Sequence, residues 1–151
     1  MTMKSLIHGS GIALLFLGLC APAAATLGED AGSVLADQVQ MQATLEVAQS
    51  AGFAVHRMRL SSDTTVRQYV SSAGLVFAVS WQGPSMPDLQ QLLGRYFQPY
   101  VEAAKSQGAG AARTVQLPGL VVQTGGHMRA YFGRAYVPPM LPRGVSVEEI
   151  Q

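Results

Sequence analysis

Three consecutive runs, FAVHRMRL (53–60), TTVRQYV (64–70) and GLVFAVSW (74–81), constrain this chain more than any other feature. Each has a period of two, the signature of strands with one face buried. The polar connections SSD and SSAG between them are suited to hairpins, so the three strands must meander antiparallel. In the third run Leu75, Phe77, Val79 and Trp81 share one face, and Val76, Ala78 and Ser80 share the other. That pattern predicts a central strand whose larger side chains face the core.

The period then changes. Leu89, Leu92, Leu93, Tyr96, Phe97, Tyr100, Val101 and Ala104 recur every three or four residues, which predicts a helix from Pro87 to Gln107 with its apolar stripe across the sheet. Ser85 and Asp88 have capping-box spacing, and Pro87 fits a first turn. Pro99 lacks a backbone donor and crowds the preceding turn, so a kink or break is expected near Gln98. Ahead of the strands, Ser33 is placed to cap a short helix through about Met41, with Val34, Leu35 and Val39 as its apolar residues. ATLEVAQS (43–50) either continues that helix or forms a strand, and Thr44, Leu45 and Val47 lean toward the strand.

After the loop SQGAGAA (106–112), VQLPGLVVQTGG (115–126) supplies a strand beyond Pro118 that turns at Gly125 and Gly126. Its hairpin partner is GGHMRAYFGRAYVPP (125–139), in which Met128, Ala130 and Phe132 are expected to face the helix and His127, Arg129 and Tyr131 the opposite side. Gly133 continues that outward row and would leave a shallow gap beside Tyr131. VPPMLPRG (137–144) is too proline-rich for an element interior and reads as an extended arm, before a last turn capped by Ser146 and Glu149. The expected fold is α+β: an antiparallel sheet of about five strands on one long, kinked or broken helix, with a short N-terminal helix.

Residues 1–25 stand apart as a signal peptide. Lys4 and His8 precede the apolar core GIALLFLGL (11–19), and APAAA (21–25) ends in small residues, so cleavage is expected after Ala25, with Ala23 as runner-up. The core is far shorter than the roughly 20 residues of a membrane span, and no later stretch approaches that length. Leu19 before Cys20 argues against lipidation, and losing Cys20 leaves residues 26–151 without a thiol or disulfide. These residues read as one small domain with a proline-rich C-terminal arm, periplasmic or secreted. Removing Lys4 from the ten Lys and Arg balances them against the nine Asp and Glu, which argues against a nucleic-acid partner.

The chemistry-bearing residues form no catalytic pattern. His56 and His127 stand outside any HxH or HExxH motif, so no metal or cofactor is expected. GPSMP (83–87) has proline where a nucleophile elbow has its final glycine, and Ser85 reads better as a helix cap. Asp37 and Glu46 are candidate glycosidase carboxyls by elimination only. Arg57, Arg59, Arg67, Arg129 and Arg134 fall in the predicted strands, either as a solvated face or as an acceptor surface for an anionic partner.

TLGED (26–30), TVRQYVSSAGLVFAVSWQGPSMPDLQQLLGRYF (65–97) and GLVVQTGGHMRAYFGRAYVPPMLP (119–142) closely resemble a family of short exported proteobacterial proteins, the domain of unknown function 2844 family. The resemblance spans nearly the whole of residues 26–151. It implies export and a single domain, and it brings no activity, substrate or catalytic residue.

The expected function is that of an exported, non-catalytic binding or accessory protein of the cell envelope. The alternatives are a small periplasmic hydrolase with an unrecognised site and a structural component of an envelope assembly. A sheet covered on one side leaves a second face, to which Val76, Tyr69, Tyr131 and the arginines are candidates. The candidate binding face comprises His127, Arg129, Tyr131, Arg57 and Arg67, offered to an anionic ligand or an envelope protein.

Overall fold

Seven strands, two more than expected, pair antiparallel in the order β1-β2-β3-β4-β7-β6-β5. The computed structural model describes residues 27–108 and 112–151. The signal-peptide reading over residues 1–25 and part of the small-residue loop lie outside the described residues. β1 (Thr44–Ser50), β2 (Phe53–Arg59), β3 (Thr65–Ser71) and β4 (Val76–Gly83) form one meander. β5 (Arg113–Leu117), β6 (Leu120–His127) and β7 (Ala130–Tyr136) form a second, and the two join where β7 pairs with β4.

β1 is the strand toward which Thr44, Leu45 and Val47 lean, and β5 is one that the sequence did not separate from β6. β1 lies at an edge and is exposed along almost its whole length, so its sequence carries only a faint alternation. Between β5 and β6, Pro118 and Gly119 make a two-residue turn, with Gly119 at φ 78°, and the run 115–126 therefore contributes to two strands. The second hairpin turns at Met128 and Arg129, not at the glycines; Arg129 has φ 65°, and Gly125 and Gly126 lie inside β6 opposite Phe132 and Tyr131. The Phe132 ring lies across Gly125: a Cβ there would sit 2.6 Å from Phe132 Cζ, so a side chain at this position would have to displace the ring.

The helical layer comprises α1 (Gly32–Gln40), α2 (Leu89–Leu93) and α3 (Phe97–Ser106), the last two joined by a 3-10 turn at Gly94–Tyr96. The break comes at Gly94, with φ 46° and ψ −116°, before the expected position at Gln98. Pro99 consequently falls in the first turn of α3, where no intrahelical bond needs its missing N–H. Asp88 alone caps α2, accepting from the Gln91 amide at 3.1 Å; Ser85 instead exchanges hydrogen bonds with the Thr64 hydroxyl. Nor does Ser33 act as the cap of α1: the helix starts after Ala31, and Asp30 Oδ1 accepts from the Gly32 amide at 2.7 Å. Leu35 and Val39 point outward, leaving Val34 as the buried apolar residue of α1.

Both sheet faces carry apolar cores. On the helix face, Val66, Val79, Trp81, Val122 and Ala135 pack with Leu92, Leu93 and Tyr100, and Phe97 is partly buried beside them. A register shift between Tyr69 and Val70 changes the alternation of β4, so Val76 joins this face and Phe77 the other, reversing their expected sides. On the far face Phe53, Tyr69 and Phe77 form an aromatic trio with centroids 5.9–6.2 Å apart, and Ile150 is buried against it. Ile150 arrives there because residues 138–151 leave β7 through a 3-10 turn at Pro138–Met140 and cross the far face to a second one at Val147–Glu149. In that last turn the Ser146 amide donates to Glu149 at 2.8 Å.

Candidate functional site

The far face is organised by one transverse row. Cross-strand register places Glu46, Arg57, Arg67, Ser80, Arg134 and Gln123 side by side on β1, β2, β3, β4, β7 and β6. Side chains in such a row project from the same face. The C-terminal segment crosses it near the middle and is held largely through its backbone. Arg134 Nη1 donates to the carbonyls of Val147 (2.7 Å) and Ile150 (3.3 Å), while its Nε donates to Gln123 Oε1 at 2.6 Å. The Tyr69 hydroxyl donates to the Gln151 carbonyl oxygen at 2.7 Å and accepts from the Gln151 amide at 2.9 Å; Ser80 Oγ also donates to that oxygen, at 2.8 Å. Arg134 is thus committed to the chain's own tail.

The crossing segment leaves an open cleft on each side. One, about 510 Å³, is walled by Phe132, Arg134, Gln123 and Ile150. The other, about 610 Å³, has Phe53, Val55 and Tyr69 on its floor, Arg57 and Arg67 along one side and Glu149 and Gln151 on the other. Beyond the two arginines the groove continues into a polar depression of about 390 Å³ that includes Thr44, Arg59 and Thr65.

Arg57 and Arg67 differ from their neighbours. Arg59 pairs with Asp63 at 3.0 Å and Arg134 is satisfied by carbonyls, but Arg57 and Arg67 have no hydrogen bond or ion pair among the described residues. Register partners across β2 and β3 present two guanidinium groups within reach of one anion, with Glu46 opposite Arg57 on the outer strand. Arg67 is half-buried, whereas Arg57 is exposed.

The remaining candidates lie elsewhere. His127 is exposed at the end of β6, four inter-strand steps across the sheet and four residues along the strand from the row that holds Arg57, well over roughly 19 Å away at ordinary strand spacing. Arg129 occupies the hairpin turn. Tyr131 pairs with Gly83 and Gly126 and shares the parity of Gly133 and Ala135, which is the helix face; Phe132 is on the far face and 55% exposed. The turn at Met128 and Arg129 inverts the sides expected for the odd- and even-numbered residues of β7. The supposed gap at Gly133 is filled by the Trp81 indole, whose Cε2 would lie 2.6 Å from an added Cβ.

Asp37 and Glu46 do not form a carboxyl pair. Asp37 is buried on the helix face, where its two oxygens accept from Gln68 Nε2 at 2.7 Å and Gln91 Nε2 at 2.6 Å; Glu46 is exposed on the far face. His56 lies on the helix face beside Gln68, and partial burial lowers its pKa by disfavouring the charged ring. No group of three or more His, Cys, Asp or Glu is placed to hold a metal ion among the described residues. No described helix is long and apolar enough to cross a membrane. The groove residues that the sequence does not single out as a site are Phe53, Val55, Glu149 and Gln151, with Val47, Ala48 and Ser50 of β1. The first two were legible as strand residues, but the tail residues had no signal placing them across the sheet.

A family model described as protein of unknown function (DUF2844) matches residues 23–150, and the chain belongs to that family. No curated protein and no solved structure matches it.

Proposed function

We propose that this DUF2844 protein is an exported, non-catalytic binding or accessory protein of the cell envelope that takes an anionic group of its ligand or partner between Arg57 and Arg67. The carrying observation is this pair of register-matched arginines, without a hydrogen bond or ion pair among the described residues, at the side of a groove with an apolar floor. Guanidinium forks match carboxylate and phosphate oxygens, and Phe53 and Val55 suit an apolar portion attached to the anion. The leader-like residues 1–25 support export, as does a family match that starts only at residue 23.

Octyl phosphate tests the chemistry directly, with octyl glucoside as the uncharged comparison. Titration calorimetry is expected to detect the phosphate and to find its affinity reduced at least about tenfold in Arg57→Ala/Arg67→Ala, a loss of about 1.4 kcal/mol. Equal binding by the folded double variant, or equal binding of both amphiphiles, would overturn the assignment. Signal-peptide removal is checked by the intact mass of protein recovered from the periplasm, expected to begin at or near Thr26.

A further inference from the structure

We propose that β1 is a self-pairing edge, through which two copies of the chain join about a two-fold axis at Val47 into one continuous sheet. Ser50 and Phe53 close the two-residue turn at Ala51 and Gly52, so the backbone groups of Ser50 face β2. Alternation then turns those of Ala48, Glu46 and Thr44 toward β2 as well. The amides and carbonyls of Leu45, Val47 and Gln49 point out of the sheet and have no backbone partner among the described residues.

Strand edges of this kind are usually blunted by lysine, proline or a bulge. β1 has none: its seven residues contain neither Lys nor Pro and pair with β2 without a register shift. The opposite edge differs, because β5 has five residues, runs directly into Pro118 and lies against α3. The exposed edge is also self-complementary. With Val47 opposite Val47, Leu45 meets Gln49 of the second copy, and each of these residues exchanges its outward amide and carbonyl across the axis. Glu46, the one charged residue of β1, falls opposite Ala48 instead of a second Glu46, and keeps Arg57 on its other side. Pairing would cover the Val47 side chain, now 53% exposed. It would also set the grooves of the two copies next to each other, since Glu46, Ala48 and Ser50 line them.

Sedimentation of the purified exported protein over a micromolar concentration series tests this. The wild type is expected to approach twice the mass of one chain. Val47→Pro deletes an outward N–H without touching a β1–β2 bond and is expected to move the midpoint of association at least about tenfold higher in concentration. Val47→Lys, which adds a charge at the axis and removes no backbone group, is expected to do the same and decides the matter should the proline variant fail to fold. A wild type that remains a single chain throughout, or folded variants that associate as the wild type does, would overturn the proposal.

Discussion

The two faces of the sheet are covered by different means. The helix face is sealed by separate elements contributing whole side chains, with Leu92, Leu93 and Tyr100 set against Val66, Val79 and Trp81. The far face is covered only across its middle, by a segment that buries Ile150 fully, packs Met140, Leu141 and Val145 partly against the same cluster, and is otherwise held by a few bonds to its backbone. Burial of many side chains is lost all at once, whereas a segment with one main anchor can lift while the rest stays folded. The difference separates the part of the molecule that maintains the fold from the part that leaves surface for recognition.

Truncating one anchor on each face sharpens this contrast. Leu93→Ala is expected to cost roughly 2–5 kcal/mol in denaturant unfolding, because the side chain is fully buried between helix and sheet. Ile150→Ala removes a comparably buried group. Release of the tail limits its effect on global stability to roughly 1–2 kcal/mol. Hydrogen exchange should then accelerate at Val147–Gln151 while the strands stay protected. Equal global losses for the two variants would break the comparison by showing that tail and sheet unfold together.

A smaller change isolates the hydrogen bonds. Tyr69→Phe retains the ring in its aromatic trio and deletes the hydroxyl that both donates to and accepts from Gln151. A loss of about 1 kcal/mol is expected, again with faster exchange confined to the tail. Spread of that faster exchange into α2 would show that the two faces are coupled through the sheet.

How far this asymmetry could be read from the sequence depends on what each side chain meets. The alternation of β2 to β4 and the stripe from Leu89 to Ala104 were legible because burial imposes its period on neighbouring residues. At β1 that imprint is faint, since Leu45 alone is partly buried and the other residues of the strand are exposed. Gly125 and Gly126 resembled a turn because glycine signals permissive backbone and crowding alike; only the fold reveals that the Phe132 ring and the Ala130 carbonyl occupy those places. Arg57 and Arg67 were recognisable as strand arginines, but their pairing is a matter of register. Arg134 looked equivalent to them, although its partners are carbonyls 13 and 16 residues along the chain, which no local pattern announces.

The smallest expected effect is pH-dependent and belongs to the helix face. Burial depresses the His56 pKa from 6.5, so the unfolded chain takes up its proton before the folded one does. The contribution of neutral His56 is therefore full above about pH 6.5 and declines as pH falls through that value toward the lower folded-state pKa. Denaturant melts between pH 7.5 and pH 5 should show this decline, and His56→Leu should flatten it. An unchanged slope in the variant would assign the decline to other groups.

Trp81 lies across Gly133 at the junction of the two meanders, and it is the only tryptophan in the chain. The molecule therefore carries one indole fluorophore, almost wholly shielded from solvent, positioned where β4 meets β7. Its emission reports the joining of the two halves of the sheet from the helix side, the face opposite the one the tail crosses.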